Sequence, residues 1–329
     1  MLYPLIFHPL FKERVWGGRH LAQLYGKALP PRIPIGESWE ISDRPEGVSI
    51  IANGPLAGKD LHWLMRYHPE ELLGRALARK TKRFPLLVKI IDAKDKLSLQ
   101  VHPPRRVAAR LGGEPKSEMW YVTHTEPKAE LFLGLKRGVT RSTFEQKLQA
   151  GTVADCFHRL HARPGDAVLL PSGRVHAIGA GHVMFEIQQN SDTTYRVFDW
   201  HRVGLDGRPR ALHVAESLAS IDFADFEPEL IHRPPAGRKP AAVRRLIHDP
   251  LFRIEVWRLA AGREQALRGG CAQILGVVKG RLRVVEGASN VAVQLRPGGF
   301  CLLPAALGGV RATGETDVEF LRAVAGAGR

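Results

Sequence analysis

Arg163-Pro-Gly-Asp-Ala-Val-Leu-Leu-Pro171 recurs, with its spacing kept, as Arg296-Pro-Gly-Gly-Phe-Cys-Leu-Leu-Pro304. Both copies follow strand-like segments, and self-similarity of this kind predicts one β module used twice. Short Val/Ile/Leu-rich runs separated by Gly and Pro dominate from Phe84 onward: Phe84–Ile91, Leu97–Val101, Met119–Val122, Ala129–Leu133, Ala167–Leu170, His182–Ile187 and Thr194–Phe198. Their spacing predicts an antiparallel sandwich or barrel. Two helical stretches interrupt them, as insertions at about 58–80 and 140–161. Leu61–Ala78 is entered after Gly58 and contains His68-Pro69, and Arg141–Leu160 has Ser142 and Glu145 at capping-box spacing before a break at Gly151. Phe226–Val243, with Pro228, Pro234, Pro235, Gly237 and Pro240, reads as a linker. The expected boundary is near residue 236, giving modules 1–236 and 237–329.

The copies differ where chemistry would sit. After Pro171 come Gly173 and His176, whereas the equivalent places after Pro304 hold Ala306 and Gly309. Only the first module can bind metal in this way, and the second is expected to act as scaffold. In Leu97-Ser-Leu-Gln-Val-His102, alternation sends Leu97, Leu99 and Val101 to one face of a strand and Ser98, Gln100 and His102 to the other. Such a polar row lines a cavity or, in the plainer reading, faces solvent.

Gly165-x5-Pro171-x-Gly173-x2-His176 resembles the second sequence motif of the cupin barrels, in which Gly and Pro shape a corner that aims the His into the barrel mouth. The Asn that often closes that motif is Ala180 here. The resemblance implies a mainly β fold of two cupin-type jelly-roll modules with a small helical segment. Where a cupin usually has His-x-His and a nearby Glu, this chain has Gln100-x-His102 and, sixteen residues past the His, Glu118. Together with His176 these make two imidazoles, one carboxylate and one amide oxygen, a set that suits zinc with room for water or substrate.

Five further segments occur in order: Gly36-Glu-Ser-Trp-Glu40, Phe84-Pro-Leu-Leu-Val-Lys-Ile-Ile91, Leu97-Ser-Leu-Gln-Val-His-Pro103, Lys116-Ser-Glu-Met-Trp120 and Gln189-Asn-Ser-Asp-Thr-Thr-Tyr-Arg196. They resemble the type I mannose-6-phosphate isomerases, and Arg196-Val-Phe-Asp-Trp-His-Arg-Val-Gly-Leu-Asp-Gly-Arg208 is similar to the short bacterial branch of that family. The resemblance covers roughly residues 8–220. It implies one zinc ion per chain held by Gln100, His102, Glu118 and His176, a catalytic Arg196, and a sugar pocket lined by Lys116, Ser98, Lys89, Glu37 and Glu186. It also implies interconversion of mannose 6-phosphate and fructose 6-phosphate through a cis-enediol.

Within that chemistry Glu186 is the first candidate for the base, since alternation in Met184-Phe-Glu-Ile-Gln-Gln189 sets it opposite Phe185 and Ile187. A solvated strand carboxylate is the plainer alternative. Glu37, Asp192 and a water on the metal are rivals, and Lys116 is a candidate for ring opening. The phosphate is expected to meet Ser98 and a basic group such as Lys89 or Arg196. The other functional class that fits these ligands is a non-catalytic bicupin that binds or senses a sugar phosphate.

Composition sets the remaining bounds. The 329 residues, 44% hydrophobic and 25% charged, can build a real core. Cys156, Cys271 and Cys301 are odd in number and widely spaced, which fits neither a disulfide framework nor a thiolate zinc site and points to a reducing compartment. The first residues carry no basic leader or small-residue cleavage site, and no run approaches the roughly 18 apolar residues a membrane helix needs. A cytoplasmic protein with no membrane partner is expected. The net charge of +15 would suit an anionic ligand, nucleic acid or merely an Arg-rich proteome. The basic residues are scattered and not interleaved with aromatics, so no nucleic-acid partner is expected.

Overall fold

The two recurring nonapeptides form the same corner. The Asp166 N–H donates to the Arg163 carbonyl and the Gly299 N–H to that of Arg296, closing four-residue turns with Pro second and a positive-φ glycine third (Gly165 at +98°, Gly298 at +74°). This is a type II turn, whose third position only glycine occupies without strain. From each turn the chain runs into a short strand, Ala167–Leu170 or Phe300–Leu303. The computed structural model describes residues 1–232, 241–288 and 291–326.

Around the first corner two antiparallel sheets face each other. One has the order Leu10–Gly18, Ile35–Ile41, Leu86–Ala93, His182–Gln189, Glu118–Thr125, Ala167–Leu170. The other runs Tyr195–Phe198, Leu99–Val101, His176–Ile178, Leu131–Leu135, Phe157–Leu160. Around the second corner lie a five-stranded sheet, from Ala241–His248 through Phe252–Leu259, Val318–Ala325 and Gln273–Lys279 to Phe300–Leu303, and a four-stranded one. The fold is mainly β and of the jelly-roll kind, as expected.

Both faces of the first six-stranded sheet are covered, which explains why its central strands read as continuous apolar runs. Val88, Ile90, Met119, Tyr121, Phe185 and Ile187 point out of the first sandwich and pack with Ile254, Val256, Ile274, Phe300, Leu321 and Ala323 of the second half in one shared core. The alternate residues, Lys89, Glu118, Trp120 and Glu186, point into the first sandwich. Phe185 and Phe300 lie 5.0 Å apart, the buried Tyr121 hydroxyl donates to Glu319 at 2.7 Å, and Leu5 exchanges two backbone hydrogen bonds with Leu302. Each buried aromatic in such a core stabilises by about 1.5–3 kcal/mol.

Several expectations need correction. The helix over Leu61–Ala78 is three short ones, Leu61–Tyr67, Pro69–Leu73 and Arg75–Ala78, because Pro69 opens a new first turn and Gly74 sits at φ +85°. The one over Arg141–Leu160 stops at Gln149. Thr140, rather than Ser142, caps it by accepting from the Thr143 N–H, and Phe157–Leu160 is a strand. Strands Leu10–Gly18 and Ile35–Ile41 begin well before Phe84. The expected boundary near residue 236 lies outside the described residues. The linker expected over Phe226–Val243 is docked at its start, where Ile231 and Ala167 exchange backbone hydrogen bonds, and is already strand by Ala241.

Candidate metal centre and sugar pocket

The polar row of Leu97–His102 faces inward, not toward solvent. Leu99 and Val101 belong to an apolar cluster, while Ser98 and His102 are buried on the opposite side. His176 pairs directly across from Gln100, and the Gly173 N–H donates to the His102 carbonyl, so the corner after Pro171 is tied to the strand that carries the other imidazole. Glu118 opens the neighbouring strand of the facing sheet, opposite Leu170 of the corner. The turn and two strands thereby bring residues far apart in sequence to one point.

His102, Glu118 and His176 are all buried, with one ligand atom of each lying within 4.8 Å of the others. His102 Nδ1 is 2.8 Å from the Thr193 carbonyl and His176 Nδ1 is 2.9 Å from that of Arg174. A carbonyl only accepts, so each Nδ1 carries the proton and each Nε2 presents its lone pair to the cluster. Burial pushes the pKa of both imidazoles down, His176 to about 3, which keeps them neutral. Glu118 is held ionised, well below the usual carboxylate range, by the Lys116 charge, which outweighs the cost of its burial. Its Oε1 lies 3.5 Å from His176 Nε2 and its Oε2 lies 3.3 Å from His102 Nε2.

Both Glu118 oxygens are buried without a well-aligned hydrogen-bond donor, although the Lys116 ammonium is 2.7 Å from Oε2. Two neutral imidazole lone pairs and an under-satisfied carboxylate fit a divalent cation, and carbonyl-anchored imidazoles are the usual support of such ligands. Gln100 sits beside them with its Nε2 3.2 Å from His176 Nε2. A half-turn of this amide would present its oxygen to the same point.

Above the cluster opens a cavity of about 560 Å³. Every other candidate from the sequence lines it: Glu37, Lys89, Ser98, Lys116, Glu186, Asp192 and Arg196. Glu186 is buried rather than solvated. It accepts from Trp120 Nε1 at 2.9 Å and lies 3.7 Å from the Lys89 ammonium and 3.9 Å from that of Lys116. Burial, with the Glu118 charge nearby, pushes its pKa up to about 7.

The rival carboxylates are shifted the other way. Glu37 is held down by Lys89 and Arg14 against its own burial, with Arg14 at 3.0 Å and Trp39 Nε1 at 2.8 Å. Asp192, 2.9 Å from Lys89, falls to about 2 because the Lys89 and Lys116 charges outweigh its desolvation. Lys89, the odd cation in an apolar strand, is thus surrounded by three carboxylates, Asp192, Glu186 and Glu37, within 3.9 Å.

Arg196 donates through Nη1 to the Ala211 carbonyl, and its buried Nε has no partner. The nearby Asp199 is taken by Arg202 and Arg210. Arg14, Trp16 and Arg210 also line the cavity and were missed from sequence. The alternation of Val15 with Arg14 and Trp16 in Leu10–Gly18 was the available signal for the first two; none marked Arg210.

The other twelve histidines lack ligand spacing, and among the described residues no second group of three potential ligands comes together. Register counted from the paired corners shows why the second half differs. Leu303 pairs with Gln273 as Leu170 pairs with Glu118, so Gln273 answers Glu118, Arg322 answers Glu186 and Glu255 answers Lys89. There Arg322 fills the centre, donating to Gln273 at 2.7 Å and Glu255 at 3.0 Å.

Comparison with known proteins agrees with this geometry. The family model "Phosphomannose isomerase type I, catalytic domain" matches residues 5–113. A Bacillus subtilis protein described as a probable mannose-6-phosphate isomerase, GmuF, is 35% identical, with 98% of this chain and 99% of that protein aligned. The mannose-6-phosphate isomerase of Streptococcus mutans is 32% identical over 97% of this chain and 98% of its own. The crystal structure of the Bacillus subtilis mannose 6-phosphate isomerase superposes with a TM-score of 0.87 at 29% identity, covering 98% of this chain and 99% of that one. Matched over nearly its whole length by such relatives, and with the ligand-like cluster buried in its first sandwich, the chain belongs to the type I phosphomannose isomerase family.

Proposed function

We propose that this protein interconverts mannose 6-phosphate and fructose 6-phosphate by moving a proton between C1 and C2, with one zinc ion held by His102, Glu118, His176 and the amide oxygen of Gln100. The observation that carries the reading is a buried carboxylate poised near neutrality, Glu186, lining a cavity that Gln100 and Lys116 join to a buried ligand cluster. When bound, zinc supplies Lewis-acid stabilisation of the negative charge that develops on the sugar's oxygen.

Glu186 takes the C2 proton. The electrons of that C–H bond form the C1=C2 double bond, and the carbonyl electrons move onto O1. The same carboxyl then returns a proton to C1 while O2 gives up its own proton and becomes the carbonyl, and O1 ends protonated. A base acts best when its pKa lies near the working pH, which favours Glu186 over Glu37 and Asp192, both held below the ordinary carboxylate value. Lys116, a cation beside Glu118 and 3.9 Å from Glu186, is placed to shuttle the proton that ring opening requires. Arg196, always charged and with an unpartnered Nε, stabilises the enediolate oxygens.

Mannose 6-phosphate deuterated at C2 tests the reading. Fructose 6-phosphate should form with part of the deuterium at C1, because one base on one face both removes and returns the label. Complete loss of label to water would argue against a single shielded base. Absence of any fructose 6-phosphate from metal-loaded protein that nonetheless binds the sugar would favour a sugar-phosphate-binding bicupin.

A further inference from the structure

The cavity is electrically two-sided. On one side, Glu37, Glu186 and Asp192 face Lys89, Lys116 and Arg14, with Glu118 buried behind Lys116. The Lys89 and Lys116 ammonium groups are already shared among these carboxylates, so a phosphate dianion entering there would meet four anionic neighbours. On the other side guanidinium groups gather. Arg196, Arg202 and Arg210 lie around Asp199; Arg202 has Asp95 as a second carboxylate at 3.4 Å, Asp206 also lines the cavity, and among the described residues Arg196 makes no ion pair. Arg196 is paired across the strands with Gln100 of the ligand set and is left for the enediolate oxygens, so the anchor is sought in the other two.

The three guanidinium groups are not equally free. Arg202 is spent on structure, with Nε on Asp199 at 3.0 Å and Nη1 on the Lys96 carbonyl at 2.5 Å, and it does not line the cavity. Arg210 does line it. Its Nε and Nη2 grip the buried Asp199 as a fork, at 2.7 and 2.5 Å, which fixes the guanidinium plane and leaves Nη1 for a ligand. A preset guanidinium with a free edge is well suited to a phosphate oxygen.

We propose that Arg210, held by Asp199, anchors the substrate's phosphate on the arginine side of the cavity, which directs C1 and C2 toward the carboxylate side and Glu186. The inference rests on the isomerase reading for the identity of the sugar, but not for the anion site itself. Because Asp199 keeps Arg202 when Arg210 is truncated, the Arg210→Ala protein should fold.

In the metal-loaded enzyme, Arg210→Ala should raise KM for mannose 6-phosphate about 10- to 100-fold with a much smaller change in kcat, the cost of one charged hydrogen-bonding partner. The constant for competitive inhibition by inorganic phosphate should rise in parallel, and Arg210→Lys should fall between the two. KM and phosphate inhibition both within about twofold of wild type would overturn the proposal, as would a fall in kcat with KM unchanged. If thermal melting shows that Arg210→Ala is unfolded, Arg210→Lys decides by the same criteria. Calorimetric titration of wild type and variant with inorganic phosphate reads the anchor without turnover. Wild type that binds phosphate through Arg210 yet turns over no mannose 6-phosphate would sink the isomerase reading and keep the anchor.

Discussion

Replacing Glu186 with glutamine should cost activity and gain stability. The side chain is 3% exposed, and its carboxyl titrates near 7 instead of 4.5. At about 1.4 kcal/mol per pKa unit, ionising it inside the fold is unfavourable by on the order of 3 kcal/mol at pH 8. Glutamine has the same shape, its oxygen still accepts from Trp120, and Lys89 and Lys116 retain Asp192 and Glu118. Between about pH 4.5 and 7 the folded protein holds a proton on Glu186 that the unfolded chain has released, so the Glu186 contribution to wild-type stability falls as pH rises through this window. The variant lacks that slope. Measured on chelator-stripped protein by thermal melting, the variant should equal wild type near pH 4.5 and exceed it above pH 7. For a chain of 329 residues, on the order of 3 kcal/mol corresponds to about 4 °C. In the metal-loaded enzyme kcat should drop about 10²- to 10⁴-fold, the usual range for loss of a positioned base. A variant no more stable than wild type at pH 8 would refute the buried-charge argument, and one with kcat intact would remove Glu186 as the base.

Purified protein should carry one zinc equivalent, and His102→Ala or His176→Ala should lose both metal and turnover, with Gln100→Ala milder because water can replace an amide oxygen. A second tightly held equivalent would contradict the filled Gln273–Arg322–Glu255 centre of the C-terminal half. Arg196→Ala should lower kcat by about 10²-fold or more with little change in substrate affinity, and steady-state kinetics showing only a raised KM would move it from the chemistry to binding. Stripped Glu186→Gln protein, free of the opposing Glu186 slope, should lose stability as pH falls below about 6.5, because unfolded histidines take up protons that His176, titrating near 3, refuses in the fold. Denaturant titrations of that variant showing a flat profile from about pH 6.5 to 5 would contradict the neutral imidazole pair.

Much of this was legible in the residues because the site is built from short local patterns. The repeated Arg-Pro-Gly corner exposed the doubled module, and alternation in Ser98–His102 and Met184–Gln189 assigned the inward side chains; Leu97, expected on the face of Leu99 and Val101, precedes the strand and lines the cavity instead. Alternation alone left Ser98, Gln100, His102 and Glu186 divided between cavity and solvent, since only the second sheet decides which face is covered. Strands before Phe84 escaped notice because Leu10–Gly18 carries Lys12, Glu13 and Arg14 and so reads as polar surface, although Arg14 and Trp16 line the pocket. The fate of Lys89 was hidden for a similar reason. Glu37, Glu186 and Asp192 come from three separate segments, and no spacing in the chain announces that they converge on one ammonium group. Helix ends shifted where Pro69 and Gly74 divided one apolar pattern into three turns.

The central claim, a metal-dependent sugar-phosphate isomerase, is tested most directly by following fructose 6-phosphate formation from mannose 6-phosphate before chelation, after chelation and after zinc is restored. The account predicts turnover that disappears with the metal and returns with one equivalent of zinc, and that does not return in His176→Ala. Undiminished turnover in protein shown by metal analysis to be free of bound ions would contradict it.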